Sequence, residues 1–313
     1  MPDIVISEFM DEDAVCEGLK GLDVLYDANL VERPDELATA VAHARALIVR
    51  NRTQVRGALL ESAAKLQVVG RLGVGLDNID VEACRARGIA VHPATGANDV
   101  AVAEYVIATA MLLLRGAYGA TAEVIAGAWP RGRLMGREIS GKRLGLVGFG
   151  SIARETASRA AALGMSAAAY DPYVAPDDPA WRQPWGRVEP LDLAELLASS
   201  DVISIHVSLT PETRNLLETQ ALALCKANAI LINAARGGVI DEGALAEALR
   251  AGRLGGAALD VFDEEPLSAA RGAIFAGCPN LILTPHIAGV TAESNTRVSW
   301  VTVEHVRRHL AGA

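Results

Sequence analysis

Residues 144–153 read Leu144-Gly145-Leu146-Val147-Gly148-Phe149-Gly150-Ser151-Ile152-Ala153, and the reading of this stretch decides the fold. An apolar run of strand length meets two glycines and then residues of helical composition: a strand, a tight turn and a helix. Gly148 permits the turn, Gly150 lets backbone amides approach an anion, and Ala153 is small enough for close helix–sheet packing. A pyrophosphate is then expected at the helix start, on the amides of Ser151 and Ile152, where unpaired N–H groups and the helix dipole favour negative charge. The next expected strand ends at Tyr170-Asp171-Pro172, with Asp171 lying 21 residues beyond Gly150. A carboxylate there accepts from both ribose hydroxyls and repels a 2′-phosphate, so the two features together predict NAD as cofactor.

The same grammar runs outward. From Arg143 to about Ile287, strands are expected at Leu144–Val147, Ala167–Tyr170, Val202–His206, Ala229–Asn233, Gly256–Leu259 and Leu281–Leu283. Helices such as Ile152–Leu163 and Glu242–Ala251 fill the gaps. A separate series from Ile4 to about His92 alternates strands at Ile4–Ser7, Val24–Tyr26, Ala46–Val49, Leu66–Gly70 and Ile89–Val91 with helical segments. Repeated β-α units imply parallel sheets with helices on their faces. A long helix is expected from Asp99 to about Gly127, because Val102, Val106, Ala110, Leu113 and Leu114 recur at three- and four-residue steps. Trp129 to Gly141 reads as a linker. Thr291 to Leu310 reads as an amphipathic helix that must pack on one of the two lobes.

Composition agrees. At roughly 150 residues per domain, 313 residues hold about two. Hydrophobic residues make up 51% and charged residues 21%, which excludes a disordered or fibrous chain. A net charge of −9 argues against nucleic-acid binding, which needs a basic face. The start of the chain shows no secretory pattern, and the longest apolar run, Tyr105 to Leu114, is too short for a bilayer span. Cys16, Cys84, Cys225 and Cys278 lie far apart, with neither metal-ligand nor CxxC spacing, so no metal and a reducing, cytoplasmic compartment are expected.

Three further segments lie at strand ends of the second series: Asn233-Ala234-Ala235-Arg236-Gly237-Gly238, Asp260 to Pro266, and Thr284-Pro285-His286-Ile287-Ala288-Gly289. Ligands in open α/β sheets bind beyond the carboxyl ends of the strands, so Arg236, Glu265 and His286 are expected to converge on one site. Singly, each has an ordinary reading as a helix-start cation, a solvated acid and a turn histidine. Beside a nucleotide fold the trio points to catalysis.

At these residues the chain resembles the D-isomer-specific 2-hydroxyacid dehydrogenase family over essentially its whole length. Arg71-Leu72-Gly73-Val74-Gly75-Leu76-Asp77-Asn78-Ile79-Asp80 resembles the family's substrate loop, and Asn98-Asp99-Val100-Ala101-Val102-Ala103-Glu104 the start of its interdomain helix. His206-Val207-Ser208-Leu209-Thr210-Pro211-Glu212-Thr213 resembles the loop that covers the cofactor. Ala153, where glycine is commoner, and His92-Pro93-Ala94-Thr95-Gly96 depart from the usual pattern. The resemblance implies two Rossmann/flavodoxin-like parallel-sheet domains. The substrate domain is discontinuous (1–98 plus 288–313) and the NAD-binding domain spans 99–287, with the crossings near Asp99–Gly127 and His286–Thr291 serving as hinges.

The implied roles fit the chemistry. Reduction of a 2-keto acid puts negative charge on the carbonyl oxygen, and His286 as imidazolium donates the proton. Glu265 holds that ring and favours its charged form, while Arg236 clamps the substrate carboxylate. The amides of Val74 and Gly75 take the remaining carboxylate oxygen, and Asp260 orients the nicotinamide carboxamide. Ala234 and His206 join Gly148, Gly150, Ser151, Ile152 and Asp171 around the cofactor. Arg50 and Arg52, just past a strand of the first lobe, resemble the segment that grips phosphate in phosphoglycerate dehydrogenases. If Arg50 touches substrate, the substrate carries a second anion.

The resemblance is to a phosphoglycerate/(S)-sulfolactate dehydrogenase-like branch, with (S)-sulfolactate and sulfopyruvate favoured. 3-Phosphoglycerate and hydroxypyruvate or glyoxylate stand as alternatives. A homodimer is implied, with Arg131, Arg133 and Arg137 as residues for a partner's site. A reading from another class, an NAD-sensing interaction protein with vestigial activity, stays open at this point.

Overall fold

A computed structural model describes residues 1–312. In chain order the first segment runs β1 (Ile4–Ile6), α1 (Glu12–Cys16), β2 (Val24–Tyr26), α2 (Pro34–Val41), β3 (Ala46–Val49), α3 (Gly57–Ser62), β4 (Val68–Arg71), α4 (Val81–Ala86) and β5 (Ala90–Pro93). There follow α5 (Asp99–Arg115), α6 (Thr121–Ile125), β6 (Arg143–Val147), α7 (Ser151–Ala162) and β7 (Ser166–Tyr170). Next come β8 (Arg182–Gln183), β9 (Gly186–Arg187), β10 (Glu189–Pro190), α8 (Leu193–Ser199), β11 (Val202–Ile205), α9 (Thr219–Leu224) and β12 (Ile230–Asn233). The chain closes with α10 (Glu242–Arg250), β13 (Gly256–Leu259), α11 (Ala269–Gly272), β14 (Leu281–Leu283) and α12 (Ala292–Leu310). It divides into two compact units, Met1–Asn98 with Gly289–Ala313, and Asp99–Ala288.

The first unit is built on a parallel sheet of order β2-β1-β3-β4-β5, the flavodoxin arrangement. Its central strands are buried on both faces, which is why they read as unbroken apolar runs. Leu47 and Val49 face one core with Leu37, Val41 and Val69, while Ala46 and Ile48 face another with Val298, Val303 and Val306 of α12. The pleat thus spreads one strand over two cores. Helix α12 starts in a capping box in which Thr291 and Ser294 satisfy each other's backbone amides. It lies so close on β4 that a Cβ at Gly70 would meet Thr302 Cγ2 at 2.7 Å and Val306 Cγ2 at 2.8 Å.

The second unit carries a seven-stranded parallel sheet of order β10-β7-β6-β11-β12-β13-β14. Counted from β6 this is 3-2-1-4-5-6-7, the doubly wound dinucleotide-binding topology. The strand order reverses between β6 and β11, where the loop at Gly148 leaves the sheet.

Two local features differ from the sequence expectation. The long helix does not reach Gly127: α5 stops at Arg115, because Gly116 takes a left-handed φ of 60°. A short 3₁₀ turn and α6 follow at a bend of 67°. Among the described residues no single helix is long and apolar enough to cross a membrane. The hairpin β8–β9 and the edge strand β10 were not foreseen, since two-residue strands leave no periodicity to read. Their segment is held by buried Trp181, whose ring stacks on Phe149 at 4.7 Å.

Candidate active site

The loop at the end of β6 has the form its glycines require. Gly148 sits at φ 94°, and a Cβ there would lie 2.7 Å from the carbonyl oxygen of His206, so no larger residue fits without moving a neighbouring strand end. Gly150 is the N-cap of α7 and makes no side-chain capping bond, leaving the first amides of the helix, on Ser151 and Ile152, without intrahelical partners. Space is open where a Cβ of Gly150 would point. Ala153 is fully buried, so its methyl group is accommodated in the helix–sheet contact. Asp171, one residue past β7, accepts from the amides of Phe149 at 2.9 Å and Tyr173 at 3.0 Å. Helix-start amides that donate, an open glycine and a strand-end carboxylate that accepts make up the set of groups a dinucleotide needs.

His206, just past β11, stacks its backbone against that loop, donating to Val147 O at 2.7 Å. Its Nε2 pairs with Ser204 Oγ at 2.9 Å. Burial drives the ring down to about 4, so it is neutral near pH 7. Ala234 follows Asn233, the last residue of β12. The Asn233 side chain shapes this turn, accepting from Ala235 N at 3.1 Å and donating to Arg236 O at 2.8 Å. Gly237 must be glycine, because a Cβ would fall 1.8 Å from Phe262 O. This backbone contact draws the Arg236 loop against the loop carrying Glu265.

The ends of β12, β13 and β14, which are neighbours in the sheet, bring Arg236, Glu265 and His286 together. His286 Nδ1 lies 2.6 Å from Glu265 Oε2, and Glu265 Oε1 accepts from Phe262 N at 3.0 Å. Burial alone would raise the Glu265 carboxyl. The hydrogen bond and charge of His286, the Phe262 amide and the charge of Arg236 outweigh it and hold the group below the ordinary carboxylate range. Glu265 is therefore an acceptor, so His286 Nδ1 is the donor in this pair and Nε2 is the ring nitrogen left for substrate. Arg236 donates from Nη1 to Ala235 O at 2.5 Å.

Asp260 does more than the sequence indicated. It is 1% exposed, and its carboxylate is the anchor of the 284–288 turn. Oδ1 accepts from Thr284 Oγ1 at 2.6 Å and Ile287 N at 2.8 Å, and Oδ2 accepts from Ala288 N at 2.7 Å. Thr284 Oγ1 in turn meets Tyr105 Oη, from α5, at 2.6 Å. These bonds hold His286 at φ 54°, an uncommon conformation for a residue with a side chain. Tyr105 and Thr284 escaped sequence reasoning because 179 residues separate them.

In the first unit, Arg50 and Arg52 follow β3 but have different fates. Arg50 is 7% exposed; its Nε donates to Phe9 O at 3.2 Å and its Nη2 to Asn295 Oδ1 at 2.6 Å. Its guanidinium lies 3.9 Å from the centre of the Phe9 ring. Burial lowers it to about 10, against the raising charge of Glu8, so it is a cation at neutral pH. Arg52 turns instead to Glu32 in an exposed ion pair at 3.1 Å. Glu8, also unforeseen, is 3% exposed and accepts from the amides of Arg50, Arg52 and Thr53, which fixes this loop. The amides of Val74 and Gly75, in the loop after β4, meet no acceptor among the described residues. Of the later arginines, Arg133 pairs with Glu123 of its own chain at 2.5 Å.

A family model described as D-isomer specific 2-hydroxyacid dehydrogenase, NAD binding domain, matches residues 107–288. Over 310 residues, 99% of either chain, the sequence is 55% identical to an (S)-sulfolactate dehydrogenase of Chromohalobacter salexigens. A D-3-phosphoglycerate dehydrogenase of Methanocaldococcus jannaschii is 38% identical over 100% of this chain, which spans 58% of that protein's length. Among solved structures, the D-lactate dehydrogenase of Aquifex aeolicus complexed with NAD and lactic acid superposes with a TM-score of 0.85. It is 28% identical, over 99% of this chain and 96% of that one.

Proposed function

This chain belongs to the D-isomer-specific 2-hydroxyacid dehydrogenases and is an NAD-dependent oxidoreductase; from that premise we propose that it interconverts (S)-sulfolactate and sulfopyruvate. The (S) descriptor suits a D-specific fold, since sulfur on C3 reverses the priority order relative to lactate. When bound, the nicotinamide supplies or accepts the hydride. Gly148, Gly150, Ser151, Ile152, Asp171, His206, Ala234 and Asp260 would hold it.

His286 donates the proton from Nε2 to the carbonyl oxygen in reduction and removes it in oxidation, with Glu265 fixing the ring through Nδ1. Arg236 and the amides of Val74 and Gly75 take the substrate carboxylate. Arg50 takes the second anion, with Arg52, paired with Glu32 at 3.1 Å, beside it in the same loop.

The observation that carries this reading is Arg50: a buried cation whose hydrogen-bond partners are a carbonyl and an amide oxygen, while the nearby Glu8 carboxylate acts on it by charge and spends its oxygens on three backbone amides. A buried guanidinium with donors beyond these two bonds is better satisfied when an anion accepts from it directly. One guanidinium balances a sulfonate, which carries a single charge, better than a phosphate ester carrying about −1.5 to −2. The end-to-end likeness to a sulfolactate dehydrogenase favours the same choice.

The enzyme is proposed to be a homodimer in the cytoplasm. Ile125, Trp129 and Met135 of the second unit are 82%, 75% and 86% exposed, an apolar stretch that a second copy would cover, and the four cysteines are free thiols. Initial rates with NADH on sulfopyruvate, 3-phosphohydroxypyruvate, hydroxypyruvate, glyoxylate and pyruvate test the substrate. Sulfopyruvate is expected to turn over fastest. Preference for phosphohydroxypyruvate would replace sulfonate by phosphate, and preference for an acid without a second anion would remove Arg50 from the site.

A further inference from the structure

Tyr105 lies on α5, yet its hydroxyl ends a hydrogen-bonded chain that reaches the turn of His286. The direction of that chain follows from proton counting. Thr284 has one hydroxyl proton, and its 2.6 Å contact to Asp260 Oδ1 uses it, because a carboxylate has none to offer. The second 2.6 Å contact must then be a donation from Tyr105 to Thr284. Burial raises the phenol above its ordinary range, partly offset by the bond to Thr284 and reinforced by the charge of Asp260, so the donor keeps its proton around neutrality.

At the other end, Asp260 grips the turn with its side chain and its backbone. Its carboxylate accepts from Ile287 N and Ala288 N, and its carbonyl accepts from His286 N at 2.8 Å. His286 stands between these anchors at φ 54° and presents Nδ1 to Glu265. A conformation of this kind persists only where its surroundings over-determine it. The phenol fixes the Thr284 hydroxyl rotor and polarises it toward Asp260, and such chains strengthen each member.

We propose that Tyr105 is a positioning residue for proton transfer: through Thr284 and Asp260 it holds the 284–288 turn, and with it the His286–Glu265 pair, in working geometry. The inference rests on the reading of His286 as the proton donor. Loss of the phenolic hydroxyl leaves Thr284 free to rotate, loosens the grip of Asp260 and lets the imidazole drift from Glu265. The charged ring is then less favoured, and the alkaline limb of the reduction profile moves to lower pH.

Full-length Tyr105→Phe, Thr284→Val, Thr284→Ser and the double variant Tyr105→Phe/Thr284→Val are compared with wild type and with His286→Ala. The readouts are keto-acid reduction across pH, NADH binding by fluorescence, and melting temperature. Tyr105→Phe should lose about 5- to 10-fold in kcat, the scale of one lost hydrogen bond, with KM and NADH affinity within about 3-fold. Its alkaline limb should move to lower pH. Thr284→Ser should stay near wild type and Thr284→Val should lose more. Because the phenol acts through Thr284, Tyr105→Phe should cost less than about 2-fold in the Thr284→Val background.

An unmoved limb in Tyr105→Phe, or an equal loss in both backgrounds, overturns the positioning role while an inactive His286→Ala leaves the catalytic reading standing. A fully active His286→Ala overturns both.

Discussion

Replacing Glu265 by glutamine removes one negative charge and keeps the shape. The wild-type carboxylate faces two donors, His286 Nδ1 at 2.6 Å and Phe262 N at 3.0 Å. Glutamine has a single side-chain oxygen, so one of the two loses its partner. Two unit charges about 4 Å apart interact by about 4 kcal/mol at an effective dielectric of 20. Here the side chains are 32% and 29% exposed, and solvent screening reduces the value to about 1.5–3 kcal/mol. The sign is fixed: the carboxylate favours imidazolium, the form that reduces substrate. Its loss moves the alkaline limb of reduction to lower pH. Steady-state reduction across about pH 5.5 to 9 reads this directly. At the alkaline end Glu265→Gln should be about 10- to 100-fold slower than wild type, and the gap should narrow toward the acid end. NADH affinity should be unchanged. A limb that stays in place, or a loss equal at every pH, would refute the claim that the charge of Glu265 sustains the proton donor.

Arg50→Gln should raise KM for sulfopyruvate by about 10- to 100-fold, the scale of a lost charge-assisted hydrogen bond, with pyruvate reduction within about 3-fold of wild type; an equal loss on both acids would contradict its role. Gly148→Ala meets both a left-handed φ and the carbonyl of His206, and should cost about 2–4 kcal/mol, seen as a lowered melting temperature and a lost NADH-dependent shift. An unchanged melting temperature would show that the loop yields freely. His206 is driven from 6.5 down to about 4 in the folded protein, so its contribution is whole above about pH 6.5 and is lost as pH falls toward 4. His206→Gln should flatten the pH dependence of the unfolding free energy in that window by up to about 3 kcal/mol, read by denaturant titration at each pH, and a parallel profile would refute the assignment.

What was legible in the sequence was what is local. Gly148, Gly150 and Ala153 declare themselves because a strand–turn–helix passes its needs along ten consecutive residues. Arg236, Glu265 and His286 were found by position, since each stands just beyond a strand in a parallel sheet. The helix break at Gly116 was also written locally, but the apolar periodicity on either side outweighed one glycine. Nothing local distinguishes Arg50 from Arg52. Their fates depend on Phe9 and Asn295 in one case and Glu32 in the other, which the fold brings from 41, 245 and 20 residues away. For the same reason nothing local marked Asp260, which the family resemblance assigns to the nicotinamide carboxamide, as the anchor of the His286 turn.

Several locally unfavourable features coincide with residues proposed for substrate or cofactor: His286, one of three non-glycine residues at positive φ among the described residues, a buried guanidinium hydrogen-bonded only to neutral oxygens, a helix start without a capping side chain, and two amides that meet no acceptor among the described residues. The first three would be relieved by ordinary substitutions: a glycine at His286, an apolar residue at Arg50, a capping serine at Gly150. Each relief would remove a group that binds an anion or moves a proton. The net charge of −9 belongs to the same pattern. An acidic surface keeps anions at a distance in general, so recognition of an acidic substrate has to come from a few cations and amides whose own partners do not satisfy them. That makes the unsatisfied groups the ones expected to discriminate between substrates, while Arg52 and Arg133 are held in exposed ion pairs with Glu32 and Glu123.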